Sequence, residues 1–220
     1  MHIPHWSMPP AAQSETRSVE IFGDFLEVPD ACNDFLTLNF TLSDEQRLLR
    51  WSNYGMSADF LGDYFASFFP GPCLEGEQIS RRDEVKSVVS FVSNELLENA
   101  VKYGQHSQAL PVTITLRLYG DTIVFEAINP SSAERVSCYR SFVEELVSTD
   151  PSELYFRQLE QTATGTGLSH MGILTMINDY GARFGWRFAP MAAEGDMQGG
   201  DAGDAPWLVS VMVHLRVGSH

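Results

Sequence analysis

Residues 80–104 most narrowly limit what this chain can fold into. Val85, Val88, Val89, Val92, Leu96 and Ala100 recur at three- and four-residue spacing. That pattern predicts an amphipathic helix with one buried stripe. Ser80 or Asp83 is placed to start it, and Gly104 to end it at the position after the last turn. At about 100° per residue, Asn99 falls roughly 40° from Glu95, with Lys102 roughly 20° to the other side. The three polar residues share a shoulder of the stripe, where side chains line a half-dry pocket. Leu97 and Val101 point away from the stripe, which calls for a second packing layer or a homodimer contact.

Downstream of this helix the periodicity changes to two. Val112 to Leu118 alternates with one apolar face, Gly120-Asp121 marks a two-residue hairpin turn, and Thr122 to Ile128 returns as a more central strand ended by Asn129-Pro130-Ser131-Ser132. Residues 133–160 read as helical in two pieces broken around Ser148-Thr149-Asp150-Pro151. Thr162-Ala163-Thr164-Gly165-Thr166-Gly167-Leu168 is a small, glycine-bearing loop feeding a helix that Gly181 caps after Tyr180. Phe184, Trp186 and Phe188 alternate in one strand, and Trp207 to Val217 in another, on either side of a Gly/Asp/Ala loop. Before residue 80, Ile21-Phe22-Gly23-Asp24-Phe25-Leu26 suits a strand or a docking segment. Phe35 to Leu42 suits a strand, and Ser43 to about Phe69 a helical segment rich in aromatics.

Each strand has an apolar face and each helix needs covering. An α+β fold follows, a two-layer α/β sandwich with a mixed, mostly antiparallel sheet and helices on one face. Residues 1–18 are expected as a flexible tail, 19–79 as an extension packed on the same domain, and 80–220 as the main domain.

Composition excludes several classes of function. The formal charge of −15 opposes sequence-independent binding to nucleic acid or an anionic membrane surface. No run approaches the roughly 20 apolar residues of a membrane span. Cys32, Cys73 and Cys138 are odd in number and widely spaced, as expected of reduced cytoplasmic thiols. No basic-then-apolar leader opens the chain, so no signal peptide is expected.

Glu95, Asn99 and Lys102 make a coherent phosphate-transfer set. A carboxylate orients or deprotonates a nucleophile, a carboxamide oxygen suits Mg²⁺, and an ammonium neutralises phosphate. Gly165-Thr166-Gly167 before a helix supplies backbone N–H groups able to approach a polyphosphate. Either signal alone is common on ordinary surfaces. Their order, with a hairpin between them, is more specific.

The segment Glu95-Leu96-Leu97-Glu98-Asn99-Ala100-Val101-Lys102-Tyr103-Gly104 resembles the N-box of the GHKL ATPase superfamily, which includes gyrase, Hsp90, histidine kinases and MutL. Gly165-Thr166-Gly167-Leu168 resembles its later glycine box, and the resemblance covers roughly residues 80–217. Within the superfamily the pattern is most similar to anti-sigma-factor-type serine/threonine kinases. The helical excursion at 133–160 and the long N-terminal part also resemble the Sia-type protein kinases of bacterial biofilm signalling. The resemblance implies a Bergerat fold that binds ATP and Mg²⁺. Glu95 would be the general base, Asn99 the Mg²⁺ ligand and Lys102 a phosphate contact, with Gly165, Thr166, Gly167 and Leu168 wrapping the phosphates. It implies phosphorylation of Ser or Thr on a small, STAS-like partner.

The chain departs from that family after the second hairpin strand. The family carries Asp-x-Gly-x-Gly there, whose Asp accepts from the adenine amino group, whereas this chain has Asn129-Pro130-Ser131-Ser132. Asn129 keeps an acceptor oxygen but not the charge, and the glycines are gone. The lid also has Ser169 where many kinases have Gly. Weakened adenine recognition is expected, and a non-catalytic partner-binding module on the same fold is the alternative.

Overall fold

The computed structural model describes residues 18–26, 32, 34–40, 47–71, 80–104, 110–163, 170–191 and 206–217. Eleven elements lie among them: β1 (Glu20–Gly23), β2 (Phe35–Phe40), α1 (Arg47–Ala66), α2 (Arg81–Tyr103), β3 (Val112–Tyr119), β4 (Thr122–Ser131), α3 (Ala133–Ser148), α4 (Pro151–Ala163), α5 (Met171–Tyr180), β5 (Arg183–Pro190) and β6 (Trp207–Arg216). Residues 1–17, the helix start at Ser43, Cys73 and the segment Gly165-Thr166-Gly167-Leu168-Ser169 lie outside the described residues.

One six-stranded sheet runs in the order β1-β5-β6-β4-β3-β2. The expected mixed sheet is corrected here, because every pair is antiparallel. The cause is local: β3–β4 and β5–β6 are each hairpin-like neighbours in sequence, and β4 joins the two pairs along β6. The register lays Phe22, Trp186, Val211, Ala127, Ile114 and Leu38 in one row across all six strands. This row faces the helices. Ala127 is the smallest side chain in it and sits beneath α2.

β1 and β2 occupy opposite edges of the sheet, and the residues after β1 lie over β5 and β6 on the face away from the helices. Gly23 turns with φ +61°, and the Asp24 amide donates to the Phe184 carbonyl at 2.7 Å. The Phe25 backbone runs so close over Gly185 that a Cβ there would collide with it. His214 Nε2 donates to the Asp24 carbonyl at 3.1 Å, and burial pushes the His214 imidazole below its usual range. At the far edge, Cys32 Sγ reaches the Leu118 carbonyl at 3.5 Å, and the Leu118 amide donates to the Asp34 carbonyl at 3.0 Å.

α2 starts at Ser80, whose hydroxyl accepts from the Asp83 amide at 3.2 Å and donates to the Asp83 carboxylate at 2.7 Å. Gly104 ends it, but with φ −70° rather than in the left-handed conformation of a glycine cap. Side chains close the end instead: the Ser131 hydroxyl donates to the Tyr103 carbonyl at 2.7 Å, and the Arg135 guanidinium donates to the Gly104 carbonyl. Leu97 is fully buried and Val101 nearly so, on a helix flanked by α1. The second packing layer they called for lies within the chain. A Cβ at Gly62 of α1 would collide with Ser90 of α2, so the two helices meet closely.

Candidate functional site

The site is built where α2, β4 and α3 converge, with α5 beside them. β4 does not stop before Asn129 as the turn-like residues suggested. It continues to Ser131, pairing Asn129 with Val209 and Pro130 with Leu208 on β6. β3 pairs last at Thr113–Ile128, so at Pro130 one side of β4 is open and the missing N–H is tolerated. Ser132 then caps α3 directly, accepting from the Arg135 amide at 3.4 Å. Asn129, Pro130, Ser131 and Ser132 therefore extend a strand and start a helix without an intervening loop.

That helix delivers Tyr139 to the site. Asn99 and Asn129 line one small cavity together with Leu96, Ala100, Tyr103, Ala127, Tyr139, Val209 and Val211. Its volume is about 10 Å³ to a water-sized sphere, room for one water at most. Tyr139 is buried, its hydroxyl accepts from Trp186 Nε1 at 3.0 Å, and burial pushes its phenol well above the usual range. It is one of four rings, with Tyr103, Phe142 and His170, that lie within 10° of parallel. Tyr139 stacks on Tyr103 at 5.3 Å, and Phe142 on His170 at 3.7 Å. Tyr103 Oη and His170 Nε2 are 3.2 Å apart. Asn129 is buried, and its amide nitrogen donates to the Pro130 carbonyl at 3.2 Å.

Glu95 lies one turn before Asn99, against the start of α5. A Cβ at Gly172, in the first turn of α5, would overlap the Glu95 carboxylate. The glycine lets α2's carboxylate approach the positive end of a ten-residue helix. Burial, reinforced by the nearby Glu98 carboxylate, pushes Glu95 above the usual carboxylate range. Glu98 itself accepts from the Asn94 amide at 2.7 Å. Lys102 is exposed, its ammonium 5.1 Å from the Tyr103 ring centroid, and it does not line the cavity.

Of the residues singled out from sequence, α2 and β4 thus bring Asn99 and Asn129 to one cavity. Glu95 stands beside α5, Lys102 lies outside the cavity, and Gly165, Thr166, Gly167 and Leu168 fall outside the described residues. Sequence reasoning missed Gly172, Tyr139 and Ser131. Gly172 was visible as a glycine interrupting an otherwise apolar helix start. Tyr139 was visible only as one position of α3's buried face, Val136-Tyr139-Phe142-Val143-Leu146.

Among the described residues, no cluster of three or more His, Cys, Asp or Glu is placed to hold a metal, and no helix is long and apolar enough to cross a membrane. No protein-family model matches the sequence, and no curated protein is significantly similar to it. Among solved structures, a chain in the crystal structure of the SiaB-SiaC complex from Pseudomonas aeruginosa is similar to this one at 15% identity and a TM-score of 0.50. The match covers 82% of this chain and 89% of that one. At that identity the likeness is one of fold.

Proposed function

We propose that this chain is an ATP-dependent kinase of the partner-switching type, phosphorylating Ser or Thr on a small protein partner. The observation that carries the reading is Glu95: a half-buried carboxylate of raised basicity, held over Gly172 at the start of α5, one turn from Asn99. A general base is more effective when its pKa approaches the working pH, and burial moves Glu95 that way. The partner's hydroxyl oxygen would attack the γ-phosphorus, its proton passing to Glu95. The bond to the bridging oxygen breaks, and ADP leaves.

Asn99 would give Mg²⁺ one carboxamide oxygen, the ion's remaining positions going, as is usual for it, to phosphate and water. When bound, the ion would neutralise charge on the phosphates. Gly165, Thr166, Gly167 and Leu168 would wrap those phosphates ahead of α5, and Lys102 would reach them from the rim. The solved SiaB-SiaC complex supports a protein as the partner. A STAS-like partner and membership of the GHKL superfamily belong to the same reading.

One observation favours a second reading, a non-catalytic partner-binding module. Tyr139 and its stacked neighbours leave only about 10 Å³ beside Asn129, where a purine would sit. Calorimetry with Mg-ATP separates the two. Binding that Asn99→Ala abolishes is expected from the kinase, whereas no heat at millimolar nucleotide overturns it.

A further inference from the structure

Two side chains stand where a nucleotide base would be read, and both are already engaged. Tyr139 is 4% exposed. Its hydroxyl accepts from Trp186 Nε1 at 3.0 Å, Tyr103 stacks on it at 5.3 Å, and Phe188 meets it edge-on at 6.0 Å. Trp186 and Phe188 are fully buried in β5, so the ring is braced from the sheet itself. Asn129 is buried too, and its amide nitrogen is committed to the Pro130 carbonyl at 3.2 Å. A carboxamide reads a base edge best with donor and acceptor together. Here only the oxygen is left, and the cavity that Asn129 lines holds one water at most.

The groups suited to phosphate are placed differently. Glu95 and Asn99 are partly exposed, and Lys102 is exposed beyond the ring stack, its ammonium 5.1 Å from the Tyr103 centroid. The polar shoulder of α2 is therefore open to a ligand while the base side is packed. A base enters only if Tyr139 gives way. That would displace on the order of 200 Å² of buried ring and break the bond to Trp186. One stacked base returns less than this.

We propose that Tyr139 sets ligand specificity at this site: it admits a magnesium-bound triphosphate by its phosphates and keeps the base outside, so that purine and pyrimidine nucleotides are accepted alike. The inference rests on the phosphoryl-transfer reading of Glu95 and Asn99, and it widens the donor from ATP to nucleoside triphosphates as a class. A site that reads its substrate through buried hydrogen bonds rejects the wrong one by orders of magnitude. With Tyr139 in place, this site has no such reading to make.

Calorimetry of the full chain with the magnesium complexes of ATP, GTP, CTP and inorganic tripolyphosphate tests this. The three nucleotides should bind within about threefold of one another, and tripolyphosphate within about tenfold of them. Tyr139→Ala should create a preference of at least about tenfold for ATP over GTP, because the freed Asn129 oxygen accepts from the adenine amino group and not from the guanine carbonyl. In proton–nitrogen spectra the Trp186 indole N–H, assigned with Trp186→Phe, should keep its shift when Mg-ATP is added. That measurement carries the test if Tyr139→Ala does not fold. Wild-type binding of ATP at least about tenfold tighter than of GTP and CTP overturns the proposal and leaves a base-selective kinase standing. So does an indole signal moved by ATP and not by tripolyphosphate, or a folded Tyr139→Ala that stays indifferent to the base. No heat from any of the four compounds removes this proposal and the kinase reading together.

Discussion

The two halves of the candidate pocket are built on opposite principles. On the α2–α5 side, a glycine has been kept free of side chain so that a carboxylate can approach a helix start. On the β4–α3 side, the strand runs straight into the helix, and a large ring fills the space. The first half holds a polar group in reserve, whereas the second is packed like core. A phosphate-handling function would draw on the first half, and base recognition would have to contend with the second. The difference locates what a nucleotide would have to change: the position of Tyr139, not of Glu95.

The contrast can be broken most sharply at Glu95. Glu95→Ala should cut phosphoryl transfer to the partner by roughly 10²–10⁴-fold while Mg-ATP affinity stays within a few fold. Unchanged turnover in a phosphate-transfer assay would remove Glu95 from the role of base. Next comes Tyr139→Ala, which empties a buried aromatic site and should cost about 3–5 kcal/mol. At about 2–4 °C per kcal/mol, Tm should fall by roughly 10 °C. In calorimetry the same variant should bind Mg-ATP more tightly, because the base half has been opened. Weaker binding would instead make Tyr139 part of the surface that holds the base.

Gly172→Ala should be milder in stability, about 1–3 kcal/mol by thermal denaturation, since a methyl is forced against the Glu95 carboxylate. Its effect on transfer should approach that of Glu95→Ala. The smallest effect is one of pH. Glu95 is raised in the folded state, so its ionisation disfavours folding, and the loss grows as pH rises above the ordinary value of 4.5. Glu95→Gln should therefore raise Tm at pH 7 by about 1–3 °C. The difference should vanish below pH 4.5. A gain that persists in acid would mean that charge is not its cause.

Much of the fold was readable because it is written locally. The stripe Val85 to Ala100, the Gly120 turn, the break at Ser148–Pro151 and the left-handed Gly181 all act within a few residues of themselves. What could not be read depends on distant neighbours. Leu97 and Val101 looked unpartnered because nothing in their own helix points to α1. Asn129-Pro130 looked like a strand end because the open side of β4 exists only where β3 has stopped. Of the site, Asn99 could be placed from sequence, since it sits on a strongly periodic helix. The plug at Tyr139 could not, because only the start of α3 at Ser132 aims that ring between α2 and the sheet.

The placement of β1 and β2 at opposite edges of the sheet also bears on assembly. β1 leaves the ribosome first, yet its partner is β5, with Glu20 opposite Phe188. β2 waits for β3, and the central pair β4–β6 needs residues close to the end of the chain. Pairings of such long sequence separation make for slow folding, on a scale of milliseconds to seconds. The uncharged β2 edge is exposed throughout that interval. The turn at Gly23 and the Asp24–His214 contact rest on β5 and β6, so they can form only once those strands are in place.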